Sequence, residues 1–338
     1  MKVRILTFSS ATNYGALLQT YALSKVLQNE GHQVELYKIS LFKPSLKSFI
    51  REHIYARFAQ RFRKQYLPPF VELNARPDAD CYIVGSDQVW NPACHRISGF
   101  HFFFDFLPEN SKRIAYAASF GSNNCSWPEE HKSELTLLLK KFSHISLRES
   151  SAIPQFQQAF NITPRLTLDP SLLLTDYSEL YETVKSRNTL VSFKFNQSAE
   201  YYKLLSYLSE ELNLQLLRLD KRYIKFQGKE YMNRYCSVSQ WIKEIVQCQF
   251  VITDSFHGMV FAIIHRKPFI VFASSTQNNE RQLSLLASLG LEDRYYTGYA
   301  EVLKNDSWKK HIDYNTVNKK LHLLRNESLN FLREATRH

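Results

Sequence analysis

The stretch Thr253-Asp254-Ser255-Phe256-His257-Gly258 sets a carboxylate, a hydroxyl and an imidazole between two apolar runs, 250–252 and 259–264. The first run reads as a strand and the second as a helix, so the polar residues fall in a strand-to-helix turn. Ser255 suits the N-cap there, and the free N–H groups of a first helical turn attract an anion. His257 lies in that turn, and an imidazole titrating near neutrality can give or take a proton. The competing reading is a capped helix with an interior histidine, and spacing alone leaves both open.

Other reactive residues stand where apolar runs stop. Arg148 follows Ile145-Ser146-Leu147, and its planar guanidinium suits a carboxylate or phosphate; a simple pair with Glu149 is the alternative. In Gly85-Ser86-Asp87-Gln88-Val89-Trp90-Asn91-Pro92, Asp87 and Gln88 are candidates to bind hydroxyls, and Trp90 to stack on a sugar face or fill the core. Asn13-Tyr14-Gly15 reads as a loop before a helix, with Gly15 allowing close backbone approach. Lys194, in Val191-Ser192-Phe193-Lys194-Phe195, is expected to point out of a strand end. Asn279 and Arg281 open a helix, where a cation is unfavourable unless an anion is near.

The elements that would position these residues alternate. Strands are expected at 3–8, 34–39, 80–84, 113–119, 145–147, 166–168, 189–195, 215–219, 250–253 and 269–272. Helices are expected at 16–29, 129–142, 200–212, 238–247, 282–289 and 317–333. Strand, glycine turn, helix, strand is the βαβ pattern of a parallel sheet, and ligands of such sheets bind at the carboxyl ends of the strands. At 338 residues, two domains are expected. We draw the line at 1–165 and 166–338, and two facing sheets would share one cleft.

Composition narrows the function. There is no GxGxxG, P-loop, HExxH or GxSxG pattern, and nothing suggests a metal. Five cysteines without CxxC spacing favour buried thiols over disulfides or zinc. The opening residues are too polar for a secretory signal and no run suits a membrane span, so a cytoplasmic protein is expected, at most peripheral on a membrane. The net charge is +11, but much of the excess is local. Residues 43–66 hold seven basic side chains against the single acid Glu52, interleaved with aromatics. This reads as a basic amphipathic insertion suited to an anionic membrane surface, or as a solvated face that attracts anionic substrate. No nucleic-acid recognition motif accompanies the charge, so nucleic acid is not an expected partner.

The segments NYGALLQTYAL, CYIVGSDQVWNP, AYAASFG, ISLRES, TLDPSLLL, VITDSFHGMVFAII and NNERQLSLLASLGLEDR occur in this order from Asn13 to Arg294. Together they resemble the polysaccharide pyruvyl transferase family, GSDQVWNP and TDSFHG being the specific ones. The resemblance implies a GT-B-like α/β fold of two Rossmann-like domains facing across a cleft. It implies phosphoenolpyruvate as co-substrate, with no other cofactor. The acceptor would be a galactose-type sugar in a bacterial polysaccharide or its undecaprenyl-diphosphate-linked precursor, with a cyclic ketal and phosphate as products. It matches His257 to the family's cleft histidine and Arg148 to its donor-binding arginine. With these roles we assign Ser255, Gly258, Arg281, Lys194 and Asn279 to the donor, and Asn13, Tyr14, Gly15, Gln88 and Trp90 to the acceptor. His257 is donor-phosphate ligand or general acid, and Asp87 or Asp254 the general base. The rival readings are a nucleotide-sugar glycosyltransferase of the same architecture and a non-catalytic glycan- or nucleic-acid-binding protein.

Overall fold

Short, wholly buried strands such as Cys81–Val84 and Phe269–Phe272 set the architecture, because strands covered on both faces carry near-continuous apolar runs. The structure is a computed structural model describing residues 1–9, 13–39, 49–121, 127–219, 225–226, 229–230, 236–273 and 279–337. Contacts divide the chain into two units, Met1–Leu174 with Leu321–His338, and Thr175–Lys320.

The first unit runs β1 (Lys2–Leu6), α1 (Tyr14–Asn29), β2 (Gln33–Lys38), α2 (Phe49–Tyr66), β3 (Phe70–Glu72), β4 (Cys81–Val84), α3 (Pro92–Ser98), β5 (Arg113–Ala118), α4 (Glu129–Leu139), β6 (Phe142–Leu147), α5 (Ala152–Phe160) and β7 (Arg165–Leu166). Its strands form one sheet in the order β3-β2-β1-β4-β5-β6-β7, every neighbour parallel. The chain winds outward from β1 to β3, then returns beside β1 with β4. The carboxyl ends of β1 and β4 therefore form a topological switch point, where open sheets part to admit a ligand.

The second unit runs β8 (Thr189–Phe193), α6 (Ala199–Glu211), β9 (Gln215–Arg218), the short antiparallel pair β10 (Lys225–Phe226) and β11 (Lys229–Glu230), α7 (Val238–Gln247), β12 (Phe250–Thr253), α8 (Phe256–Ile264), β13 (Phe269–Phe272), α9 (Glu280–Leu289), β14 (Tyr295–Tyr296) and α10 (Tyr299–Lys304). Its parallel sheet has the order β14-β13-β12-β8-β9, so its switch point lies between β8 and β12. α8 is apolar on nearly every side and buried through Ile263, as a helix enclosed by its neighbours should be.

The last helix, α11 (Tyr314–Thr336), starts in the second unit and ends in the first. The sequence reading kept it with the second domain and drew the boundary at 165/166; contacts draw it at Leu174/Thr175. Ser328 Oγ accepts the Leu168 N–H at 3.0 Å, Arg325 Nε donates to the Leu172 carbonyl at 2.7 Å, and Phe331 packs on Tyr116 at 6.1 Å. The basic segment does form a helix over α2, while residues 43–48 lie outside the described residues.

Candidate active site

At the switch point of the second sheet, the turn from β12 to α8 is tied down by its own side chains. The Thr253 hydroxyl donates to the Phe193 carbonyl at 2.5 Å and accepts the Ser255 N–H at 3.0 Å, joining β12 to β8. Ser255 Oγ accepts the Gly258 N–H at 3.3 Å, the expected N-cap. Gly258 is required sterically: a Cβ there would stand 2.4 Å from Thr253 Oγ1 and 3.1 Å from Thr253 Cβ.

Asp254 and Lys194 pair with each other, which corrects the expectation that Lys194 points out of the strand end. Lys194 does not leave the strand end but turns inward, donating to the Phe272 carbonyl at 2.7 Å and to Asp254 Oδ2 at 3.1 Å. Burial pushes its pKa down against the opposing pull of Asp254. Asp254 Oδ1 accepts the Phe195 N–H at 2.8 Å and Oδ2 accepts the Asn196 N–H at 3.0 Å, with its side chain 0% exposed. With three donors held in the interior, Asp254 anchors this turn.

His257 occupies the second position of α8, nearly buried, with its ring edge-to-face on Phe256 at 5.2 Å. The Arg281 guanidinium lies over the same Phe256 ring, 5.9 Å from its centroid. Gln282 Nε2 donates to the Asp254 carbonyl at 3.0 Å, fastening the first turn of α9 to the turn that starts α8. Two helix N-termini, an imidazole and a guanidinium are thus held around one aromatic ring. The one carboxylate in the turn between β12 and α8 is already neutralised by Lys194 and two amides, so this arrangement suits an anion. Asn279 sits at the cap position of α9 without a capping bond from its side chain, which instead bonds Tyr295.

In the first unit, Arg148 is the hub of an acidic cluster. Its Nη1 donates to Asp169 Oδ2 at 2.7 Å and to Ser86 Oγ at 3.3 Å, and its Nε to Glu149 Oε1 at 3.3 Å. Its Nη2 stands 3.7 Å from Asp87 Oδ1. Burial alone would lower the pKa of this guanidinium, but Glu149, Asp169 and Asp87 together raise it. The positive charge expected to grip an anion is therefore already shared among three carboxylates. Asp87 is the least buried of the three, with its side chain 15% exposed. Its backbone is left-handed at φ 77°, as is that of Ala117 at φ 49°, beside the register shift in β5. Such strain persists only where surrounding structure imposes it, and it clusters at functional sites.

The acceptor candidates separate. Asn13 caps α1 through Oδ1 to the Gly15 N–H at 2.9 Å, and Tyr14 and Gly15 are buried first-turn residues rather than a loop. Gln88 Oε1 accepts from Asn91 Nδ2 at 2.8 Å. Trp90 corrects the sequence reading: it is 0% exposed, stacked between Phe103 at 5.3 Å and Phe156 at 5.9 Å, with Nε1 donating to the Phe102 carbonyl at 3.1 Å. A ring so enclosed cannot meet a sugar.

Sequence reasoning left out Asp169, Ser86 and Gln282, which organise the two clusters. Asp169-Pro170 did carry a signal, an acid at a strand end, but its partner Arg148 is twenty-one residues away and only the sheet brings them together. Among the described residues, no group of three or more His, Cys, Asp or Glu is arranged to hold a metal ion, and no helix is long and apolar enough to cross a membrane.

The profile of the polysaccharide pyruvyl transferase family matches residues 13–276. No curated protein matches the chain. Among solved structures, the chain is similar to a candidate UDP-N-acetylglucosamine 2-epimerase from Listeria monocytogenes, with TM-score 0.56, 11% identity and coverage of 98% and 95% of the two chains. It is similar to the UDP-GlcNAc 2-epimerase of Methanocaldococcus jannaschii, with TM-score 0.53, 11% identity and coverage of 96% and 100%. A UDP-glucosyltransferase from Polygonum tinctorium gives TM-score 0.53, 9% identity and coverage of 98% and 97%. At such identities the likeness concerns the fold, which is GT-B-like with two parallel-sheet α/β domains.

Proposed function

Because the chain belongs to the polysaccharide pyruvyl transferase family, we propose that it moves the pyruvyl group of phosphoenolpyruvate onto two hydroxyls of a sugar, forming a cyclic ketal and releasing phosphate. The acceptor in this reading is a galactose-type unit of a bacterial polysaccharide or of its undecaprenyl-diphosphate-linked precursor. The observation that carries the reading is the anion-suited group at the β8/β12 switch point: the N-termini of α8 and α9, with His257 and Arg281 both against Phe256.

Phosphoenolpyruvate carries a carboxylate and a phosphate on one small frame, and both need N–H donors or cations. A proton delivered to its methylene carbon makes a methyl group and leaves an oxocarbenium-like carbon. One sugar hydroxyl adds to that carbon. The carbon–oxygen bond to phosphate breaks with its electron pair leaving on phosphate, and the second hydroxyl closes the ring. Of the two hydroxyl protons, one makes good the proton given to carbon and the other departs with phosphate. We assign the donor's anionic groups to the Ser255–Gly258 turn and Arg281, and proton transfer to His257.

The exposed stripe Arg57, Arg61 and Lys64 on α2 extends the reading to an anionic lipid surface, where a lipid-linked acceptor would be met. The inward stripe of the same helix, Ala59, Phe62 and Tyr66, packs toward Tyr21, with ring distances of 6.3 Å to Phe62 and 6.4 Å to Tyr66.

Incubating the full chain with phosphoenolpyruvate and galactose-terminated saccharides, free and lipid-linked, tests the reading. Phosphate release together with the added pyruvyl mass supports it. Absence of both across all acceptors, with stabilisation by a nucleotide sugar instead, points to the glycosyltransferase reading that the shared architecture also allows.

A further inference from the structure

Asp254 also fixes the backbone of the two residues that follow Lys194. Its carboxylate accepts the N–H groups of Phe195 and Asn196 at 2.8 and 3.0 Å, clamping the loop between β8 and α6. The loop is held further along as well. Gln197 Oε1 accepts the Tyr202 hydroxyl at 2.5 Å, and Ser198 caps α6 through the Tyr201 N–H at 3.2 Å. On this fixed backbone both side chains face outward. Phe195 is 44% exposed, one of few large apolar side chains left in water among the described residues, and Asn196 is exposed beside it. Phe193 braces the Phe195 ring edge-to-face at 5.2 Å. The pair stands at the carboxyl end of β8, at the switch point, next to the turn that carries Ser255 and His257.

We propose that Phe195 and Asn196 form the acceptor-sugar platform of this enzyme. The ring covers the apolar C–H face of a hexose, and the Asn196 amide bonds its hydroxyls. The assignment rests on the pyruvyl-transfer reading. A sugar face is amphipathic: axial C–H groups on one side and hydroxyls at the edge, which an aromatic face beside an amide matches. A loop ordered before binding loses little entropy when the sugar arrives. The exposed ring belongs to the second unit's sheet, whereas Trp90 belongs to the first unit and is enclosed there.

Phe195→Ala, Phe195→Tyr and Asn196→Ala in the full chain test this, with methyl galactoside and a galactose-terminated oligosaccharide as acceptors. Phe195→Ala is expected to raise the acceptor KM roughly tenfold or more, leaving the phosphoenolpyruvate KM near wild type, with Phe195→Tyr restoring it. An acceptor KM within about twofold of wild type, or a rise confined to the phosphoenolpyruvate KM, overturns the platform. A changed oligomeric state in Phe195→Ala with the acceptor KM unmoved assigns the ring to a subunit contact and overturns it as well. If the wild-type chain forms no pyruvylated product, the pyruvyl-transfer reading fails. The platform is then decided by direct binding of the oligosaccharide: binding by wild type and loss in Phe195→Ala supports it, and equal or no binding overturns it.

Discussion

Arg148 Nη1 lies 2.7 Å from Asp169 Oδ2, and the two side chains are 3% and 0% exposed. Removing one member of a buried, hydrogen-bonded pair strands the other charge, which costs about 3–5 kcal/mol. Asp169→Asn and Arg148→Ala are therefore both expected to lower the urea midpoint of unfolding clearly. Arg148→Ala should be the harsher, because it leaves three carboxylates crowded together.

His257→Ala should behave differently. The ring is nearly buried and meets Phe256 edge-to-face, so the test is read on turnover, with the urea midpoint measured beside it to separate a loss of chemistry from a loss of fold. Phosphate release with an accepted saccharide should fall by about 10²–10⁴-fold, the usual contribution of a positioned acid or base. Turnover at the wild-type rate would remove His257 from the reaction.

Gly258→Ala probes the turn itself. The new methyl would meet Thr253 Oγ1 at 2.4 Å, and Thr253 is locked by its bonds to the Phe193 carbonyl and the Ser255 N–H. The first turn of α8 has to shift, at roughly 1–3 kcal/mol of overpacking strain. Thermal-shift measurements should show weakened stabilisation by phosphoenolpyruvate along with a lower melting temperature.

Acid sensitivity has a specific source at the end of α8. Burial of His265, whose Nε2 is enclosed, lowers its pKa from 6.5 to about 4, with Lys267 adding to the effect. Between those values the unfolded chain binds a proton that the folded chain refuses, so stability rises with pH through this window and falls as pH drops from 6.5 toward 4. The full effect is about 3 kcal/mol. His265→Phe, beside Tyr181 and Phe261 at 6.0 Å each, should flatten the pH dependence of the urea midpoint over that range.

The outward stripe of α2 is open to a simple measurement. Each basic residue near an anionic surface contributes up to about 1 kcal/mol, so replacing Arg57, Arg61 and Lys64 by Gln should weaken vesicle binding by roughly a hundredfold. Flotation with vesicles of phosphatidylglycerol and phosphatidylcholine reads this directly. Equal recovery with neutral and anionic vesicles would remove the membrane role.

Much of this molecule was legible from its chain. Apolar runs four to six residues long alternate with helical periodicity, and parallel strands buried on both faces must read that way; β12, β13 and α7 fall where periodicity put them. The Ser255 cap on Gly258 was legible for the same reason: a cap is a local bond between residues three apart. Even the helix in the basic segment follows from its own composition. The error at α4 was also local, since the helix ends at Leu139 and Phe142 begins β6.

What the chain could not disclose were the partners of charged and aromatic side chains across the sheets. Whether Arg148 meets an incoming anion or three resident carboxylates depends on β4, β6 and β7 lying near one another, and no spacing in the sequence encodes that proximity. Trp90 and Phe195 show the same limit from opposite sides: one ring is swallowed by Phe103 and Phe156, and the other is held outside by Asp254. Residue type and local period determine which segments become strands, helices and caps, because those bonds close within a few residues. Burial and charge pairing are settled only when distant segments pack, since desolvation depends on everything that surrounds a group.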